Sequence, residues 1–287
     1  MRLYFVIVCI VLILIISLCY LTRFRTKGIF QTKYDEAWFP IQYHEEDYVD
    51  GCHTWFFNNN SDRVILYCHG NYGNMSYYSH VPFIAKRLGL SLIMFDYRGF
   101  GKSYGRATTD NIKQDGINMY SYLINKLGYD ENNIIVWGES LGGSIAAWIA
   151  CNYKPSKVVL LSTFSDIHDV VRMHSNGSLI INGIISIADI LYDSLPIKDW
   201  IGKIRSPICI VHSIEDTYIP FECSIVNANI ATEYVKEHIV IHGDHTTPDM
   251  NEDDVTRLSK FLETDICYVD FMNDFKTIRE HSPLSKI

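Results

Sequence analysis

A chain of 287 residues that is 48% hydrophobic and 13% aromatic carries the material for one large packed domain, which excludes the disordered and low-complexity classes. Its formal charge of −8 is uneven: Arg2, Arg23, Arg25 and Lys27 lie at the start, and the remainder sets 21 basic against 33 acidic side chains without a basic run, which speaks against nucleic acid as a partner. The eight cysteines are scattered and form no CxxC pair, so neither a zinc site nor a disulfide framework is indicated, and no cofactor is called for.

In chain order, the first feature is an uncharged run of 19 residues from Leu3 to Leu21. As a helix it would reach about 28 Å, close to the roughly 30 Å hydrocarbon core of a bilayer. Cleaved signal peptides have apolar cores of about 7 to 15 residues, and Ser17-Leu18-Cys19 is a poor cleavage site, so the expectation is a retained single-pass anchor. Arg23, Arg25 and Lys27 behind the span lean toward a cytosolic body. Glycosylation sequons at Asn59, Asn74 and Asn176 would suit a lumenal one, and the side stays open. The expected division is an anchor with its basic flank over 1–27, a catalytic body over 28–265 and a tail over 266–287.

Phe39 to Phe57, with Asp50-Gly51 at a turn, reads as a hairpin. Short β-branched-rich runs follow at Arg63–Cys68, Leu90–Phe95, Asn133–Trp137, Lys157–Leu161, Ile208–His212 and His238–Ile241. Helical stretches lie between them, near 76–88, 110–127, 141–152, 221–231 and 252–263. This alternation predicts a doubly wound, mostly parallel α/β sheet. The rhythm breaks between 164 and 200, where Ile-rich pieces are interrupted by Gly177, Gly183 and Pro196; the stretch reads as a short helical cap, with an extra helical pair as the alternative.

After the strand ending at Trp137 comes Gly138-Glu139-Ser140-Leu141-Gly142-Gly143, a G-x-S-x-G pattern set between a buried strand and an amphipathic helix. A nucleophile on so sharp a turn takes strained dihedrals, and flanking glycines remove side chains that would collide. Ser140 is therefore the candidate nucleophile, and the Leu141 N–H at the helix start is a candidate oxyanion donor. A serine needs a base and an orienting acid, in the chain order Ser, acid, His. The loop after the Ile208–His212 strand offers Glu215 and Asp216, of which Asp216, followed at a short interval by Pro220, is the better acid. The next strand leads to His242 and His245, of which His245, beyond a glycine turn, is the better base. A metal reading of His242, Asp244 and His245 lacks partners at ligand spacing. The second oxyanion donor is expected at Asn71, after His69-Gly70 on the loop that leaves the Arg63–Cys68 strand, with His69 orienting that loop. Gly101-Lys102-Ser103 imitates a phosphate loop but has Asp96 where that motif needs glycine, and Arg98 is expected to anchor neighbouring backbone. Tyr72, Tyr77 and Tyr78 form a patch for which ordinary surface packing is the preferred reading and the lining of a pocket the alternative.

His69-Gly70-Asn71-x-Gly73-Asn74, Asp96-Tyr97-Arg98-Gly99-Phe100-Gly101-Lys102-Ser103, Gly138-x-Ser140-Leu141-Gly142-Gly143, Leu161-Ser162-Thr163-Phe164, Asp216 and His245 together resemble the Bem46 and ABHD13-like branch of the α/β-hydrolase superfamily over about residues 40–265. The resemblance implies a serine hydrolase with one N-terminal membrane anchor, and in ABHD13-like members the catalytic domain is generally assigned to the non-cytosolic side. The related ABHD17-like branch deacylates protein cysteines and has a Cys-rich N-terminus that this chain lacks. The expectation is a membrane-anchored hydrolase of acyl esters or thioesters, with lipids or acylated proteins as substrates; the alternative is a catalytically silent scaffold on the same fold.

Overall fold

The computed structural model describes residues 30–37, 44–174, 194–266 and 268–271. The strands are β1 Gln31–Thr32, β2 Glu45–Val49, β3 Cys52–Phe57, β4 Val64–Cys68, β5 Tyr72–Gly73, β6 Ser91–Phe95, β7 Ile134–Glu139, β8 Lys157–Leu161, β9 Ile208–Ser213, β10 Val235–Asp244 and β11 Thr247–Asp249. The helices are α1 His80–Arg87, α2 Thr109–Asn125, α3 Leu141–Asn152, α4 Ile167–His174, α5 Ile197–Trp200, α6 Glu222–Ile230 and α7 Glu252–Leu262. Among the described residues nine strands form one sheet in the order β11-β10-β9-β8-β7-β4-β6-β3-β2, parallel from β10 to β6 and antiparallel at both edges. The expected mostly parallel α/β sheet is therefore present.

Strand residues alternate between two cores. Leu66, Ile93, Val136, Val158 and Ile210 pack with α2 and α3 on one face, while Ile65, Leu92, Ile135, Val159 and Val211 pack with α1 and α7 on the other. Burial on both faces is why these segments read as continuous apolar runs, and each large side chain withdrawn from water contributes about 1.5–3 kcal/mol. The β2–β3 hairpin turns at Asp50 (φ 50°) and Gly51 (φ 84°), two successive left-handed residues that match the twist of the flanking strands.

Three details depart from expectation. The stretch 76–88 is not one helix: a 3₁₀ turn at Met75–Tyr78, capped by Asn74, precedes α1, with Pro82 tolerated in its first turn. Strand β10 runs well beyond His238–Ile241, because only Ile239 and Ile241 are buried and its exposed ends carry no apolar signature. The two-residue β1 and β5 pair in a separate parallel ladder too short to leave a sequence pattern. Among the described residues no helix is long and apolar enough to cross a membrane. The expected anchor Leu3–Leu21, most of the tail 266–287 and the Ile-rich part of the expected cap lie outside the described residues.

Candidate active site

The carboxyl ends of β4 and β7, and of β9 and β10 on the far side of β8, deliver Asn71, Ser140, Asp216 and His245 to one edge of the sheet. In open α/β sheets this is where ligands bind.

Ser140 sits between β7 and α3 at φ 53°, ψ −117°, a conformation that costs a non-glycine residue about 1–3 kcal/mol. The surrounding glycines make that turn possible by absence of volume. A Cβ on Gly138 would stand 2.2 Å from the Gly142 carbonyl oxygen, and one on Gly142 would stand 1.8 Å from the Cys68 oxygen. The Ser140 N–H donates to the Leu161 carbonyl (2.9 Å), and the Thr163 hydroxyl donates to the Ser140 carbonyl (2.7 Å). The helix start leaves the Leu141 N–H among those without an intrahelical acceptor. Asn71 follows Gly70, where an added Cβ would be 3.4 Å from Ser140 Cβ, so the β4 loop runs against the turn.

His245 Nε2 lies 3.0 Å from Ser140 Oγ, and its Nδ1 lies 2.7 Å from Asp216 Oδ2. A carboxylate only accepts, so Nδ1 carries the proton and Nε2 is left to accept from the serine hydroxyl. Burial opposes charge on Asp216, but His212, His245 and the Ile219 N–H outweigh it and hold the carboxyl well below the usual carboxylate range. Its other oxygen accepts from the Tyr218 and Ile219 N–H groups at 2.9 and 2.8 Å. Glu215 instead accepts from the Gly243 N–H (2.8 Å) and pairs with exposed His242 (3.1 Å), so the structure separates each pair of alternatives: Asp216 with His245, Glu215 with His242. Asp244 accepts from the Thr217 hydroxyl, and among the described residues no cluster of His, Cys, Asp or Glu could hold a metal.

A cavity of about 380 Å³ opens at Ser140, walled by Leu141, Phe164, Ile167, Val170 and Ile219. A smaller, more polar one of about 110 Å³ adjoins it on the His245 side, with Gly70, Tyr72, Tyr78 and Glu139 in its wall. Two side chains without a sequence signal as site residues belong here. His212, fully buried, donates from Nε2 to the Ile219 carbonyl (3.0 Å) and approaches Asp216 to 3.4 Å; it read only as a strand residue. Glu139 accepts from the Tyr67 hydroxyl and faces His80 at 3.8 Å; burial disfavours its charge, yet these partners hold its pKa below the ordinary value. Tyr72 and Tyr78 line the small cavity and Tyr77 is buried, so the preferred reading of surface packing gives way to the pocket alternative for the first two and to burial for the third. His69 donates from Nδ1 to the Gly70 carbonyl (2.7 Å) and faces buried Asp96, and Arg98 grips Asp115 of α2 while also reaching the Asn111 carbonyl.

Residues 63–177 match the family model described as alpha/beta hydrolase fold. The uncharacterized protein R595 of Acanthamoeba polyphaga mimivirus is 30% identical over 220 residues, which cover 70% of this chain and 73% of that protein. The lysophosphatidylserine lipase ABHD12 of Danio rerio is 27% identical over 187 residues, covering 56% of this chain and 45% of the lipase. Among solved structures, the esterase Pf2001 of Pyrococcus furiosus superposes with a TM-score of 0.65 at 18% identity, over 82% of this chain and 97% of the esterase.

Proposed function

This chain belongs to the alpha/beta hydrolase superfamily, and we propose that it is a serine hydrolase of acyl esters or thioesters, held at a membrane by Leu3–Leu21 and allied to the Bem46 and ABHD13-like branch. The observation that carries the reading is the continuous relay from Ser140 Oγ through His245 to Asp216, at 3.0 and 2.7 Å, on a strained turn that opens into an apolar cavity.

In this reading His245 Nε2 takes the Ser140 proton as Oγ attacks the acyl carbon, and Asp216 stabilises the imidazolium that forms. The Asn71 and Leu141 N–H groups receive the oxyanion, each donor of this kind being worth about 10²–10³ in kcat. His245 then protonates the leaving alcohol or thiol, the acyl chain stays on Ser140, and water activated by the same histidine releases it. The cavity walled by Phe164, Ile167 and Val170 supports an aliphatic acyl group as its occupant. Its volume exceeds what an acetyl group needs and favours medium to long chains. An anchor would raise the effective concentration of bilayer-resident esters and do nothing comparable for soluble ones. Fluorophosphonate labelling tests the reading: the wild type takes the label, Ser140→Ala does not, and His245→Ala takes it far more slowly. An unlabelled wild type, or label retained in Ser140→Ala, overturns it.

A further inference from the structure

We propose that the rim of the two adjoining cavities, built from α4 and the β9–α6 loop at the apolar one and from the segment around Tyr34 beside the smaller one, is the face on which the protein lies against a zwitterionic lipid surface, so that acyl substrates enter from the bilayer. The proposal rests on the hydrolase reading above and adds the direction of substrate entry.

Five large apolar or aromatic side chains on these three pieces are 43% to 73% exposed: Tyr34, Val171, Met173, Ile214 and Tyr218. Their placement follows from the elements that carry them. On α4, Ile167, Val170 and His174 line the cavity, and at about 100° per residue they form one stripe. Val171 and Met173 fall to either side of that stripe, so the helix turns its middle into the cavity and both flanks to the surface around the mouth. Ile214 stands two residues before Asp216, and Tyr218, stacked on the His245 ring at 5.5 Å, borders both cavities.

The third piece explains why the occupant is a membrane. Residues 30–37 are stitched to the β4 loop: β1 pairs with β5, the Gln31 N–H donates to Asn71 Oδ1 (3.3 Å), the Lys33 N–H donates to the Gly73 carbonyl (3.2 Å) and Asn74 donates to the Lys33 and Asp35 carbonyls (both 3.0 Å). Gln31 itself forms part of the wall of the smaller cavity. The chain thus joins the body at the lip of the site. Only residues 22–29 separate Phe30 from the end of the apolar run at Leu21, and eight residues extend to at most about 29 Å. A bilayer that held Leu3–Leu21 would therefore lie within that reach of the mouth.

Charge selects the kind of surface. Arg172 pairs with Asp169 (2.9 Å), Glu215 with His242 (3.1 Å), Asp244 accepts from Thr217, and the Lys33 ammonium lies over the Tyr72 ring at 4.5 Å. Among the described residues the rim has no uncompensated basic cluster and the body beyond residue 27 is strongly acidic, so at the rim itself apolar contact with zwitterionic headgroups fits better than attraction to an anionic lipid, and the basic Arg23, Arg25 and Lys27 belong to the linker rather than to this face.

The experiment uses the full-length protein in phosphatidylcholine vesicles and two substrates, p-nitrophenyl butyrate in water and a palmitoyl ester dissolved in the bilayer. Met173→Glu and Ile214→Glu alter side chains outside both cavity walls. Each should lower kcat/KM for the bilayer ester at least about tenfold while leaving the soluble ester within about twofold, and Met173→Trp should preserve or raise bilayer turnover. Unchanged bilayer turnover in both Glu variants overturns the docking face and leaves the hydrolase reading standing. A joint fall of both activities and of Tm would assign the face to cover by residues 175–193 or a second copy, and also overturns it. A wild type inert toward both esters overturns the hydrolase reading itself.

Discussion

Gly142→Ala puts the geometry of the nucleophile turn to a quantitative test. The added Cβ would stand 1.8 Å from the Cys68 carbonyl oxygen, 2.4 Å from its carbon and 2.7 Å from the His69 oxygen. Nothing nearby can yield by rotating a side chain, because all three atoms are backbone. Carbon needs about 3 Å or more from such neighbours, so α3 and β4 must part by about 1 Å. Overpacking of a dense core costs about 1–3 kcal/mol, and a crossing of two rigid backbones belongs at the upper end. At about 2–4 °C per kcal/mol for a domain of this size, Tm should fall by about 6–12 °C. The same displacement moves Ser140 Oγ and the Leu141 N–H relative to His245 and Asn71, for which a loss of about 10² in kcat is the expected scale. Gly128→Ala is the control: Gly128 has φ 76° and nothing within 4 Å of an added Cβ, so it should cost about 1 kcal/mol of backbone strain and leave kcat unchanged. Calorimetry and turnover of p-nitrophenyl butyrate read both quantities. A Gly142→Ala protein with Tm within about 2 °C of wild type and undiminished kcat would refute the reasoning.

Asp216→Asn should fold normally and lose about 10⁴ in kcat, because an amide that donates to Nδ1 holds the wrong imidazole tautomer. Since the Asp216 carboxyl is held below its ordinary value, its charge contributes stability in full above the unfolded pKa of about 3.9, and that contribution fades as pH falls through and below it. Denaturation curves of wild type and Asp216→Asn should therefore stay apart by a constant amount above about pH 5 and converge progressively as pH falls below about 4, and divergence on acidification would contradict the assignment. His245→Ala should lose at least about 10³ in kcat while His242→Ala, whose ring is exposed and paired with Glu215, keeps it; the reverse result would exchange their roles. Thr163→Val removes the hydroxyl that donates to the Ser140 carbonyl and should cost about 1 kcal/mol of stability, measurable by urea unfolding.

The features legible in the sequence are those that solvent and local sterics impose. Strands buried on both faces, such as Val64–Cys68 and Ile134–Glu139, must be apolar along their length, and the Ser140 turn must have glycine where backbones cross. Where Ser140, Asp216 and His245 lie relative to one another also follows from a parallel sheet, because each stands just past the carboxyl end of a strand. What escaped was set by tertiary contact. His212 sits in an ordinary strand pattern, and only the fold of the Asp216 loop brings Ile219 and the carboxylate to its ring. For Tyr72 and Tyr78 the sequence leaves surface packing and pocket lining both open, and only the β4 loop decides between them by placing both in the cavity at Ser140. The β1–β5 ladder left no trace because two residues cannot establish a period, and β10 was underestimated because its exposed ends are held by pairing with β9 and β11.

The central claim is that Ser140 carries the acyl group, and trapping the intermediate tests it most directly. The protein is mixed with p-nitrophenyl palmitate, quenched in acid within milliseconds and digested for mass spectrometry. The account predicts one palmitoyl group on the peptide that contains Ser140, at a stoichiometry equal to the burst of p-nitrophenol, and no adduct in Ser140→Ala. Steady turnover with an unmodified Ser140 peptide, or an acyl group found on another residue, would contradict it.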